Sequence, residues 1–233
     1  MATLLQVTNK VLKRLREDTV ATLAADYPNL VASFVADVVA ELNELTIWNA
    51  YDAELTVSVV SGTRDYALTG TTNESMLLFT PNGMPQAWIF DSSTDTDGNQ
   101  MFFLDPSEYY RRLQIDRDQT NSKPQWFTIE KDTDNDDLYI RLWPKPSATK
   151  YIRIRLNNPQ AELDPDTDAA VEIKLPERVI RLGALMLAAE ERGEEMGELY
   201  ARLESRYTLA KGAAVENEIR TRERTGFYDW ARN

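Results

Sequence analysis

The residues of this chain best suited to chemistry are carboxylates, which crowd into two short turns. One turn reads DTDGNQ from Asp95 and the other reads DTDNDD from Asp132. Acidic residues at this spacing open the calcium loop of an EF-hand, which also needs Gly at its sixth position and Glu at its twelfth. Those positions hold Gln100 and Pro106 in the first turn, and Asp137 and Trp143 in the second. Asp, Asn and Gly are also the usual residues of tight turns, so we predict solvated turns and no metal site.

The second turn could instead hold magnesium for a nuclease, or supply carboxylates to a hydrolase that works on sugars. Its acidic residues are Asp132, Asp134, Asp136 and Asp137. Crowding in one turn does not place carboxylates around a cleft, and no second cluster follows a comparable strand. A carboxylate-dependent hydrolase that uses Asp134 or Asp136 is therefore the less favoured alternative.

Other routes to catalysis are restricted by composition. The chain contains no His and no Cys, which removes the commonest general base, the Ser-His and Cys-His nucleophile pairs, and most zinc sites. No phosphate-binding GxxxxGK[ST] loop, GxGxxG or GxSxG motif is present. We predict a protein that is not an enzyme and needs no cofactor.

The charge of the chain limits its partners. Its 233 residues carry a formal net charge of −12, and 42% are hydrophobic, which is enough for a real core. A negative field repels nucleic acid, and the basic pairs Arg111-Arg112 and Arg153/Arg155 stand isolated, so sequence-specific nucleic-acid binding is not expected. The first residues lack an apolar run long enough for a signal peptide, and no segment approaches a membrane span, so we expect a cytoplasmic origin and no membrane partner.

Four helices are predicted to support these residues. Thr3 and Gln6 form a capping box that begins the first helix, and Pro28 opens a second helix whose apolar stripe ends near Trp48. The third begins after Pro176 and stops at Gly193. The fourth runs from about residue 194 to about residue 216. Each stripe needs a partner to be buried, so we expect the four helices to close into one bundle.

Between Leu55 and Leu156 the sequence changes to short β-type runs separated by turn residues, which predicts an antiparallel β region. A short helix interrupts it from Asp105 to Gln114. The stretch from Leu138 to Leu156 alternates strictly in two arms and is predicted to be a hairpin with one aliphatic face. The opposite face mixes aromatic residues with arginine, as interfaces often do, although such residues are also common on solvated strands. This candidate contact face comprises Tyr139, Arg141, Trp143, Tyr151, Arg153 and Arg155.

The predicted fold class is therefore α+β: a four-helix core with an inserted antiparallel β region and an extended C-terminal tail. We place the N-terminal helices in 1–50, the β region in 51–160, the C-terminal helices in 161–217 and the tail in 218–233. The tail ends in aromatic residues, which favours docking on a partner over a frayed, disordered terminus. Its candidate docking residues are Arg220, Arg222, Arg224, Phe227, Tyr228 and Trp230.

This order of parts resembles the head-to-tail adaptor proteins of tailed bacteriophages, the connector subunits that sit beneath the portal. The phrases that carry the resemblance are PQWFTIE at 124–130, LWPKP at 142–146, the returning strand 151–156, the helix after Leu175-Pro176, and ARLESRY at 201–207. They are hairpin, turn and helix patterns and not a catalytic signature.

The resemblance implies a structural virion protein of the phage neck or tail, assembled in the host cytoplasm into a ring that usually has twelve copies. It implies two partners, the portal protein above and the next tail component, a nozzle or tail tube protein, below. The C-terminal segment would reach the portal and the β region would face the tail. The candidate contact face of the hairpin would meet a neighbouring subunit or a tail protein. Genomic DNA would pass through without specific binding. A virion or tail binding module that uses its β region is the alternative.

Overall fold

The computed structural model describes residues 1–72, 74–80, 82–131, 137–193 and 197–225, with residues 223–225 described by their backbone only. The described chain divides into a helical unit, residues 1–51 and 160–221, and a β unit, residues 52–159 and 222–225. The elements are, in chain order, β1 (Ala2–Thr3), α1 (Leu4–Arg14), α2 (Asp26–Leu45), β2 (Asp52–Val59), β3 (Asp65–Leu68), β4 (Met76–Leu77), β5 (Ala87–Phe90), β6 (Asn99–Gln100), β7 (Phe102–Phe103), α3 (Pro106–Ile115), β8 (Thr120–Asn121), β9 (Trp126–Lys131), β10 (Leu138–Trp143), β11 (Lys145–Pro146), β12 (Lys150–Asn157), β13 (Glu172–Ile173), α4 (Glu177–Glu191) and α5 (Glu198–Thr225). None of the helices in these described ranges is long and apolar enough to cross a membrane.

The start of α1 is fixed locally by a capping box. The Thr3 hydroxyl accepts from the Gln6 N–H at 3.3 Å, and the Gln6 side chain accepts from the Thr3 N–H at 3.2 Å, as predicted. The start of α2 was predicted wrongly, because the helix begins at Asp26 and not at Pro28. Pro28 is the third helical residue, a position whose N–H has no partner within a helix, so proline is tolerated there.

Side chains from all four long helices meet in the core of the helical unit. Gly183 of α4 allows a close approach, since an added Cβ would stand 2.8 Å from Val38 of α2 and 2.9 Å from the Tyr207 ring of α5. Tyr207 is buried, and its hydroxyl donates to Glu41 of α2, which also pairs with Lys211 at 2.7 Å. The predicted helical core is therefore confirmed.

Two sheets build the β unit. One has the order β3-β10-β9-β7, and the other has the order β2-β12-β5-β6 with β4 also on β12. Most pairings are antiparallel as predicted, but β7 joins β9 and β8 joins β11 in parallel. The inner faces of both sheets share one core, which contains Leu138, Ile140, Leu142, Ile152, Ile154 and Leu156.

The predicted hairpin between the two arms of 138–156 is wrong. β10 pairs with β3 and β9, whereas β12 pairs with β2, β4 and β5. The segment between them is not a turn, because β11 pairs with β8. Each arm keeps its aliphatic row buried, but the two rows face each other across the core, as in sheets packed face to face, and do not lie side by side.

Helix α5 extends further than predicted. It continues to Thr225, so residues 218–225 are helical where an extended tail was expected. Polar contacts replace an apolar stripe in this last part: Arg220 pairs with Glu216 at 2.5 Å, one turn back, and the Glu218 carboxylate accepts from the Asn49 N–H. Pairs at this spacing stabilise a helix without any apolar periodicity. Residues 226–233 lie outside the described residues.

Candidate functional site

The six residues of the predicted contact face do not form one surface. Tyr139, Arg141 and Trp143 lie on the outer side of the sheet that contains β10, and Tyr151, Arg153 and Arg155 lie on the outer side of the sheet that contains β12. Because the two sheets share their inner faces, these sets point away from each other. We call them the β10 face and the β12 face.

Helix α3 packs over the β10 face and engages its arginine. As predicted, Asp105 caps this helix by accepting from the Ser107 N–H at 2.9 Å. The Arg141 guanidinium donates to the Tyr110 hydroxyl at 2.5 Å and lies 3.2 Å from Glu130. Tyr110 in turn donates to Glu130 at 3.0 Å. Burial and this hydrogen bond to a carboxylate raise the pKa of the Tyr110 phenol, which therefore stays protonated and can serve as a donor.

Aromatic side chains at the end of β10 complete the contact with α3. The Trp143 and Trp126 rings lie 5.4 Å apart, and the Arg112 guanidinium stands 4.8 Å from the Trp126 ring and 5.0 Å from the Trp143 ring. Glu108 accepts from Arg111 and Arg112, and these bonds lower the pKa of its carboxyl to about 2. The arginine and tryptophan of this face thus hold α3 on the sheet.

A cavity of about 520 Å³ lies between α3 and the strands β3 and β10. Arg64, Arg117 and Arg141 line it together with Asp65 and Tyr110. The Nε and Nη2 groups of Arg64 are buried and have no hydrogen-bond acceptor among the described residues. Burying a guanidinium edge without an acceptor costs free energy, so we expect Arg64 to lower the stability of the β unit.

The β12 face combines cations with aromatic surface. The Arg153 guanidinium stacks 4.3 Å over the Phe90 ring and donates to the Ser93 carbonyl, and Arg155 donates to Gln86 at 3.2 Å. Tyr151 lies opposite Phe90 in the strand register and is half-buried. These contacts orient the side chains on the outer side of the sheet, so the β12 face is the more preorganised of the two for meeting a partner.

The predicted C-terminal docking residues fall in three groups. Arg220 is exposed on α5. Arg222 instead pairs with Asp52 at 3.0 Å, and both side chains are only 11% exposed. The backbone of Arg224 is helical, and Phe227, Tyr228 and Trp230 lie outside the described residues.

The acidic turns are only partly described. Asp95 accepts from the Ser92 N–H at 2.9 Å, which is the hydrogen bond of a tight turn. Asp137 accepts from the Gly70 N–H, while Asp132, Asp134 and Asp136 fall in the undescribed part of their turn. Within the described ranges, no group of three or more Asp and Glu residues is arranged to hold a metal ion.

A groove on the helical unit was not predicted. It has a volume of about 1100 Å³ and runs between α4, α5 and the end of α1. Its arginines are Arg14, Arg16, Arg178, Arg181, Arg192 and Arg206. Between them lies an apolar floor that includes Leu182, Leu203 and Leu209. These residues come from three separate parts of the sequence. Leu199 and Leu209 of α5 are 51% and 72% exposed.

Comparison with known proteins found one family. A family model described as SU10 adaptor protein matches residues 2–229, nearly the whole chain. A search of curated proteins returned no match.

Proposed function

Because the chain belongs to the SU10 adaptor protein family, the phage head-to-tail adaptors, we propose that it assembles as a ring beneath the portal and joins the portal to the tail. The family membership makes it a structural protein of the virion neck with portal and tail components as partners. The single observation that carries the proposal is the family match, which covers both units and not one fragment.

The ring is proposed to hold twelve copies, to assemble in the host cytoplasm and to continue the DNA channel without turnover of any substrate. The formal charge of −12 supports the channel, because DNA slides past an acidic wall without binding it. The subunits of the ring would be held together by packing at their interfaces, which needs neither a metal nor a cofactor.

Two contacts are proposed for the partners. The β12 face, with Tyr151, Arg153 and Arg155, meets the next tail component, a nozzle or tail tube protein. The end of the chain docks on the portal through Arg220, Arg224, Phe227, Tyr228 and Trp230. Aromatic and arginine side chains are the residues that most often carry binding energy at such contacts. Arg222 is left out of this set because its pair with Asp52 would have to break first.

The test uses the portal ring from the same genome. Full-length chain and a chain that ends at Thr225 are each mixed with the ring, separated by gel filtration and sized by light scattering. Ending at Thr225 keeps all of α5, including Glu218 and Arg222, whose contacts an earlier end would remove. A full-length variant with Phe227, Tyr228 and Trp230 all changed to Ala repeats the comparison without shortening the chain.

We expect the full chain to comigrate with the ring and to add the mass of many subunits, and both altered chains to fail. Comigration of the altered chains would keep the adaptor role and move the portal contact away from the terminal aromatics. Failure of the wild-type chain to join the ring would contradict the proposal itself.

A further inference from the structure

The arginine-lined groove of the helical unit carries more positive charge than the acidic residues of the same chain neutralise. Arg181 pairs with Glu177, and Arg192 pairs with Glu17 at 2.7 Å. The other four arginines, Arg14, Arg16, Arg178 and Arg206, form no ion pair with any residue in the described ranges. No acidic residue is among those that line the groove. Unpaired cations around an apolar floor fit a partner that is both acidic and partly apolar.

Arg16, one of these arginines, has a backbone conformation that glycine adopts more readily than other residues. Arg16 follows the end of α1 with a φ of 62°, in the left-handed region. Its N–H donates to the Lys13 carbonyl and the Glu17 N–H donates to the Leu12 carbonyl, which is the Schellman pattern of a helix end. Glycine is the usual residue at this position, because a side chain there is strained.

The rest of the chain carries the negative charge that would complement the arginines of the groove. Six of the 26 basic residues line the groove, which leaves 20 against 38 acidic residues, a formal charge of −18. A second copy therefore carries a net negative charge outside its own groove. It cannot offer the groove itself, because two arginine-lined surfaces would repel each other.

We propose that the groove binds the acidic surface of a second copy of this chain. The contact is heterologous, since the groove meets a different surface, and such contacts build a ring when the rotation between successive copies closes. The leucine floor favours a protein over DNA, whose phosphates need cations but no apolar surface. The inference rests on the proposed ring and names the surface that builds it.

The test compares two charge reversals one turn apart on α5. Arg206 lines the groove, whereas Arg202 does not line it and instead pairs with Glu198 at 2.6 Å. Arg206→Glu and Arg202→Glu change the net charge equally, so Arg202→Glu is the matched control. Leu209→Ser tests the apolar floor. Each chain is studied by sedimentation velocity over a range of protein and salt concentrations, and then with the portal ring.

We expect wild type and Arg202→Glu to self-associate alike, with association weakened by salt, and Arg206→Glu to associate roughly ten- to hundredfold more weakly. Leu209→Ser should also weaken association, which a purely electrostatic contact would not predict. Both changed side chains are exposed, and circular dichroism melting checks that the fold is intact.

Equal behaviour of Arg206→Glu and wild type, alone and on the portal ring, would overturn the inference. Loss of binding to double-stranded DNA by Arg206→Glu, with association unchanged, would assign the groove to nucleic acid instead. The adaptor role is judged separately, because wild type either joins the portal ring or does not. A variant that joins the ring in reduced number upholds both proposals.

Discussion

Replacing Arg16 with glycine should stabilise the free chain and weaken its assembly at the same time. A side chain in the left-handed region costs about 1–2 kcal/mol, and the added freedom of glycine in the unfolded chain costs about 0.5–1 kcal/mol. The midpoints of these two ranges differ by about 0.75 kcal/mol, so Arg16→Gly should raise the free energy of unfolding by about that amount. For a chain of this length that is a rise in Tm of about 1–4 °C.

The assay is a thermal melt at low protein concentration, where association is negligible, followed by sedimentation velocity at high concentration. Arg16→Ala is the matched control, because it removes the guanidinium but keeps a Cβ on the strained backbone. We expect both variants to associate less than wild type, and only Arg16→Gly to melt at a higher temperature. A lower Tm for Arg16→Gly would refute the strain argument. Unchanged association in both variants would show that the guanidinium at this position does not contribute to the groove.

Three further predictions concern single side chains. Arg64→Met should raise the free energy of unfolding by about 1 kcal/mol in urea titration, because it removes buried N–H groups without acceptors, and the exposed Arg111→Met should give no gain. Gly183→Ala should lower the free energy of unfolding by about 1–3 kcal/mol through overpacking. Gly212 has open space around it, so Gly212→Ala should raise the free energy of unfolding by up to about 1 kcal/mol. Glu108 stabilises the fold because its carboxyl pKa is lower in the folded chain. The free energy of unfolding of wild type should therefore exceed that of Glu108→Gln by its full amount above pH 4.5, the ordinary pKa of Glu, and the difference should vanish as pH falls to about 2. A difference that is independent of pH would contradict this.

Local rules predicted the start of α1, the start of α3 and the end of α4, because the groups that determine these three ends are adjacent in sequence. The capping box at Thr3, the Asp105 cap and the left-handed Gly193 after α4 each depend on a few neighbouring residues. The same rules failed to predict the end of α5. Its last turns contain no apolar stripe, and the contacts that support them reach residues as far away as Asn49.

Alternation in the sequence identified the buried side of each strand but not the neighbours of that strand. The aliphatic rows of β10 and β12 are buried as predicted, and yet each row belongs to a different sheet. A two-residue period is satisfied equally by a hairpin and by two sheets packed face to face. The predicted contact face was divided for this reason, and the arginine-lined groove was missed because no single segment contains it.

The pairing of β12 with β2 has a consequence for synthesis on the ribosome. Asn157 lies opposite Asp52 in this ladder, so the sheet that contains β12 cannot be completed until about a hundred further residues have been made after β2. At about 5–20 residues per second, that wait is roughly 5–20 seconds. The strands of both sheets precede α4 and α5 in the chain and so leave the exit tunnel first, whereas the apolar sides of α1 and α2 wait for α4 and α5 to be made. The strands of both sheets are therefore synthesised before α4 and α5, the two helices that complete the helical core.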